Sequence, residues 1–100
     1  MESLPSLEHF KEQLHSTFRV PLTPEVSTTL ELYEIDDRGG YRDSNDAHRP
    51  SFSLFFRGPK EFQLPQSIYR LEHQALGSFE LFVVPVGIDQ HGMQFEAVIN

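Results

Sequence analysis

The strongest constraint on this chain is an alternation of apolar and polar residues with a period of two. Val26, Thr28, Leu30 and Leu32 hold one set of alternate positions, and Ser27, Thr29, Glu31 and Tyr33 hold the other. Successive side chains of an extended strand point to opposite faces, so such a run buries one face and wets the other. The pattern returns with Phe52, Leu54 and Phe56 against Ser53, Phe55 and Arg57, stopped by Gly58-Pro59. It returns again over Ile68–His73, with Tyr69 and Leu71 opposite Ile68, Arg70 and Glu72. Met93, Phe95, Ala97 and Ile99 alternate near the C-terminus, and Ser16–Val20 is a short run ended by Pro21 and Pro24. Phe79–Val84 is apolar at nearly every position, which predicts a central strand covered on both faces. Pro85 has no N–H to give to a ladder, so pairing must end or bulge there.

Only one segment has a helical period. Leu7, Phe10 and Leu14 form one stripe behind Ser6, a good N-cap, with Glu8 near the positive end of the dipole. This predicts a helix over Leu7–His15. The fold expected is mainly β, of the α+β class: a small antiparallel β-barrel or sandwich of about six strands with one short N-terminal helix. Nine Phe and three Tyr with no Trp make phenylalanine the principal core material. Residues 1–100 form a single domain. Positions 36–50, DDRGGYRDSNDAHRP, are rich in turn formers and free of periodic apolar residues, so they are expected to be a long mobile loop and a place for interaction.

Charge and composition exclude several functions. The net charge is −7, which argues against nucleic acid and against an anionic membrane as partners. The balance is uneven: positions 1–37 carry eight acids and two bases, positions 38–60 five bases and two acids. There is no cysteine, hence no disulfide, thiolate metal site or cysteine nucleophile. Met1-Glu2-Ser3-Leu4-Pro5 lacks a basic n-region leading into an apolar run, and the longest apolar run, Leu81–Val86, is too short to span a bilayer. The expected location is cytoplasmic.

Known catalytic and metal-binding patterns do not fit. Asp43, Asn45 and Asp46 resemble the start of a calcium loop, but Ala47, His48 and Leu54 stand where further ligands and a glycine are needed. The five histidines lack metal-ligand spacing and read as isolated surface residues. No G-x-S-x-G is present, and Gly58-Pro59-Lys60 is not a phosphate loop. No catalytic residue, metal site or cofactor is therefore expected. Arg57, Arg70 and Glu72 fall on two runs read as neighbouring strands. They form either a structural charge ladder on the wet face or a site in which Arg57 and Arg70 hold a ligand carboxylate.

The second half carries a set of motifs: Ser51-Phe52-Ser53-Leu54-Phe55-Phe56-Arg57-Gly58-Pro59, Leu64-Pro65-Gln66, Ile68-Tyr69-Arg70-Leu71-Glu72-His73, Leu81-Phe82-Val83-Val84-Pro85-Val86-Gly87 and Phe95-Glu96-Ala97-Val98-Ile99-Asn100. With Thr17-Phe18-Arg19-Val20, they resemble a family of bacterial proteins of about this length known only as a domain of unknown function. The resemblance implies an accessory or assembly role in phage-tail-like or fibre-associated systems, and it carries over no catalytic residue. The function expected is a non-enzymatic binding or assembly module with a protein partner. The alternative is a small-molecule protein for anionic ligands. A C-terminal strand, where it forms a sheet edge, is a template for a partner strand or a second copy.

Overall fold

In the computed structural model, which describes residues 4–100, one short helix precedes eight strands. The N-terminal residues Met1–Ser3, read above as lacking a leader, lie outside the described residues. The helix α1 spans Leu7–Glu12, and the strands are β1 (Thr17–Pro21), β2 (Ser27–Asp37), β3 (Tyr41–Arg42), β4 (His48–Arg49), β5 (Phe52–Gly58), β6 (Ser67–His73), β7 (Gly77–Asp89) and β8 (Gly92–Ile99). Six of them close an antiparallel barrel in the order β1-β2-β5-β8-β7-β6, while β3 and β4 form a separate two-stranded hairpin. Closure is completed by a single register pair across β1 and β6, Arg19 with Glu72.

The alternation explains the barrel. Each strand turns its apolar set inward, and Phe18, Val20, Leu30, Leu32, Phe52, Leu54, Phe56, Leu71, Phe79, Leu81, Val83, Phe95 and Ala97 are all buried. Six of the nine phenylalanines are fully buried. They meet edge to face: Phe18 with Phe56 at 5.6 Å between centroids, and Phe10 with Phe79 at 5.6 Å. Such pairs contribute about 0.5–1.5 kcal/mol each beyond the area they bury.

Four expectations need correction. The helix stops at Glu12 rather than His15, because His15 takes a left-handed φ of 74° and gives its N–H to the Leu32 carbonyl at 2.6 Å. Leu14 is consequently exposed, and Phe10 is the helix residue that enters the core. Residues 36–50 are not one irregular connection: β2 runs on to Asp37, and the β3–β4 hairpin follows. β7 is covered on one face only, since a barrel has an inside and an outside, and Phe82 is 51% exposed. Finally, β8 is no edge. It pairs with β5 on one side and β7 on the other, so the C-terminal strand offers no free ladder. Pro85 does produce the expected bulge, where the β7–β8 register shifts between Pro85 and Gly87.

One histidine has a structural part that spacing did not reveal. The His73 ring packs 4.4 Å from Phe18, and its Nδ1 accepts the N–H groups of Ala75 and Leu76 at 3.0 and 3.3 Å. That leaves Nε2–H to donate to Ser16 Oγ at 2.9 Å, and Ser16 donates in turn to the Gln13 carbonyl at 2.6 Å. The neutral ring thereby ties the end of α1 to the end of β6.

Two outcomes follow from these contacts. The Thr28 hydroxyl is buried with no hydrogen-bond partner among the described residues. Thr28→Val keeps the branched shape and is expected to raise unfolding free energy by about 1 kcal/mol in urea titration. Burial also holds the His73 imidazole below its ordinary value. The unfolded chain then binds the proton more readily, so this contribution is full above about pH 6.5 and is lost as pH falls below it. His73→Asn keeps an acceptor for the turn but does not titrate, and unfolding curves between about pH 7 and about pH 5 are expected to show a shallower acid-side decline.

Candidate functional site

A barrel filled with phenylalanine leaves chemistry to its outer wall. There the sequence-predicted trio separates. Arg57 lies on β5, whereas Arg70 and Glu72 lie on β6, with β2 and β1 between them. The inferred ladder joining all three is therefore incorrect, because β5 and β6, though consecutive along the chain, are not neighbours in this closed order. Arg70 and Glu72 are brought together on β6, with Nε and Oε2 3.6 Å apart. Glu72 also pairs with Arg19 across the β1–β6 seam. Those charges brace the weakest joint of the barrel.

Arg57 belongs to a different constellation. Its register partners are Glu31 on β2 and Gln94 on β8. The β2–β5 register shifts between Leu32 and Glu34, a bulge that leaves Tyr33 as the extra residue. Bulges re-aim side chains. Here the Tyr33 ring is turned beneath the guanidinium, whose central carbon stands 4.4 Å from the ring centroid. Tyr33's hydroxyl is raised above its ordinary value, chiefly by burial and against the opposing pull of the Arg57 charge. The Arg57 Nε is buried and has no hydrogen-bond partner among the described residues.

The cleft beside Arg57 has a volume of about 300 Å³ and is lined by Thr17, Thr29, Glu31, Gly58, Pro59 and His91. Two close backbone approaches at glycines shape its surroundings. Gly92 has φ +124°, and a Cβ there would lie 2.3 Å from the Gly58 carbonyl oxygen. A Cβ on Gly58 would lie 2.8 Å from Leu30 Cδ2. The β7–β8 turn can thus press onto the end of β5 and bring His91 to the rim. Asp89 shapes that turn, accepting the His91 N–H at 2.7 Å. Its carboxyl sits below the usual carboxylate range, first because of that bond, then through the Gln94 amide and the His91 and Arg57 charges.

Elsewhere on the wall, Ile68 faces Phe82 across β6 and β7. Continuing the β7–β8 register places Val98 on Phe82's other side. These residues are 63%, 51% and 52% exposed, an outward apolar row across three strands. Around the barrel, Ser53 accepts from Arg38 at 2.6 Å and donates to Glu96 at 2.7 Å. In the β3–β4 hairpin, Asp43 spends both carboxylate oxygens locally, on Asn45 and Ala47 N–H groups and on Arg49. Among the described residues no group of three or more His, Asp or Glu is placed to hold a metal ion. No described helix is long and apolar enough to cross a membrane.

Sequence reasoning singled out Arg57 but missed Tyr33 and Glu31, and it did not bring Asp89 and His91 to the same place as Arg57. The bulge and the turn that assemble them depend on register, which alternation alone does not give. The model of the family described as "Domain of unknown function (DUF6916)" matches residues 5–99. No curated protein and no solved structure matches the chain.

Gly92→Ala is expected to lower stability by about 2 kcal/mol or more, since the added methyl meets both a left-side φ and a backbone oxygen. Thermal unfolding measures the loss, and amide shifts at His91 and Arg57 are expected to move with it.

Proposed function

The chain belongs to the DUF6916 domain family, and we propose that it is a non-enzymatic protein-binding module that contacts its partner through the β6–β7–β8 wall. The observation that carries this reading is the exposed row of Ile68, Phe82 and Val98. A side chain such as Phe82 gains about 1.5–3 kcal/mol when it leaves water, so a half-exposed row of three gives a partner a favourable surface to cover. Because β8 is paired on both sides, this face supports the reading better than strand addition at the C-terminus does. The assembly in view is a phage-tail-like or fibre-associated one, an expectation that rests on the family resemblance alone. A second copy of the chain is one form the partner takes.

Light scattering over a wide concentration range, together with affinity capture from host lysate, tests this by comparing wild type with an Ile68→Ser, Phe82→Ser variant. The expected result is a mass above the 11.6 kDa of one chain, or a captured protein, lost in the variant while the circular dichroism spectrum is kept. A wild-type monomer that captures nothing contradicts the reading, as does an interaction that the folded variant retains.

A further inference from the structure

We propose that the Arg57 cleft binds a small zwitterion of amino-acid type, with its carboxylate on the Arg57 guanidinium and its ammonium on Glu31. This concerns a different wall from the protein-binding reading and does not depend on it.

The first support is the charge state of Arg57. Of the chain's six arginines, Arg19, Arg38, Arg42, Arg49 and Arg70 each have a carboxylate oxygen within 4.0 Å. Among the described residues Arg57 has none, in a chain whose net charge is −7. Its guanidinium rests instead on the face of Tyr33, with the Asp89 charge acting on it only from a distance, a weaker attraction than a contact ion pair in a partly covered site. Stacking also fixes the guanidinium. A planar fork already held in place loses little side-chain freedom when it takes a carboxylate.

The second support is the disposition of the acids. Glu31 is directly opposite Arg57 in register and lines the same cleft. Asp89, the other nearby acid, is engaged by the His91 N–H and the Gln94 side chain. A simple anion entering the cleft would gain Arg57 but meet Glu31 at close range. A ligand carrying both charges satisfies both groups and is repelled by neither. The hydroxyls of Thr17 and Thr29 and the imidazole of His91 add hydrogen-bonding capacity around the same opening. At about 300 Å³ the cleft is at the small end of ligand sites and suits an amino acid rather than a nucleotide or an extended peptide.

The experiment is a nuclear magnetic resonance titration of the ¹⁵N-labelled full chain with each common L-amino acid, followed by the N-acetyl and methyl-ester forms of the best binder. At least one amino acid is expected to shift the amides of Thr17, Thr29, Glu31, Arg57, Gly58 and His91 in a saturable way. Each blocked form, lacking one of the two charges, is expected to bind at least about tenfold more weakly. Arg57→Met should abolish binding with the rest of the spectrum unchanged. Glu31→Gln should remove the preference for the free amine over the N-acetyl form. If Arg57→Met does not fold, Arg57→Lys with the same blocked pair decides, and it should bind more weakly than wild type. The proposal is overturned if no amino acid moves these amides, if binding persists in a folded Arg57→Met, or if the N-acetyl form binds as tightly as the free amino acid.

Discussion

The inward phenylalanines govern what the rest of this structure is free to do. Phe10, Phe18, Phe52, Phe56, Phe79 and Phe95 are packed in the core with no exposure above 1%, and their edge-to-face contacts join the helix to β7 and strands far apart in sequence to one another. A barrel of six strands has a narrow lumen, and bulky rings fill it. Ligand or partner recognition is thereby displaced to the outer wall, where every second residue of each strand is free to vary without disturbing the core.

That outer wall is divided by charge and polarity. Along β1 and β6, Arg19, Glu72 and Arg70 brace a seam held by one register pair. On the β6–β7–β8 side, Ile68, Phe82 and Val98 expose an apolar row. Around β5, Arg57 rests on Tyr33 beside a polar cleft. Two bulges interrupt the ladders that carry this wall. The one at Tyr33 turns its ring under Arg57, and the other shifts the β7–β8 register between Pro85 and Gly87. Irregularities in a regular ladder thus position the side chains available for binding.

Much of the architecture was legible because period two is a direct image of which face is buried. Phe52, Leu54 and Phe56 could be assigned to the core from spacing alone, and they are there. Pro85 announced its bulge for a covalent reason, the missing N–H. What alternation does not encode is strand order. It left β8 available to be an edge, put Arg57 beside Arg70, and made Phe79–Val84 look buried on both faces when Phe82 points outward. The helix end was hidden because it depends on the φ of His15, set by a long-range bond to Leu32. His73 was hidden for the same kind of reason, since its partners Ser16 and Phe18 lie far along the chain.

That β8 is an inner strand, paired with β5 and with β7, is the claim on which the outer-wall account stands, and amide hydrogen exchange along β8 tests it most directly. A strand paired on both sides has every N–H in a ladder, whereas an edge strand leaves alternate N–H groups to water. Slow exchange is expected at each consecutive amide from Met93 to Glu96, which pair with β5 on one side and β7 on the other. Fast exchange at every second amide of that run would show β8 to be an edge strand and contradict the account.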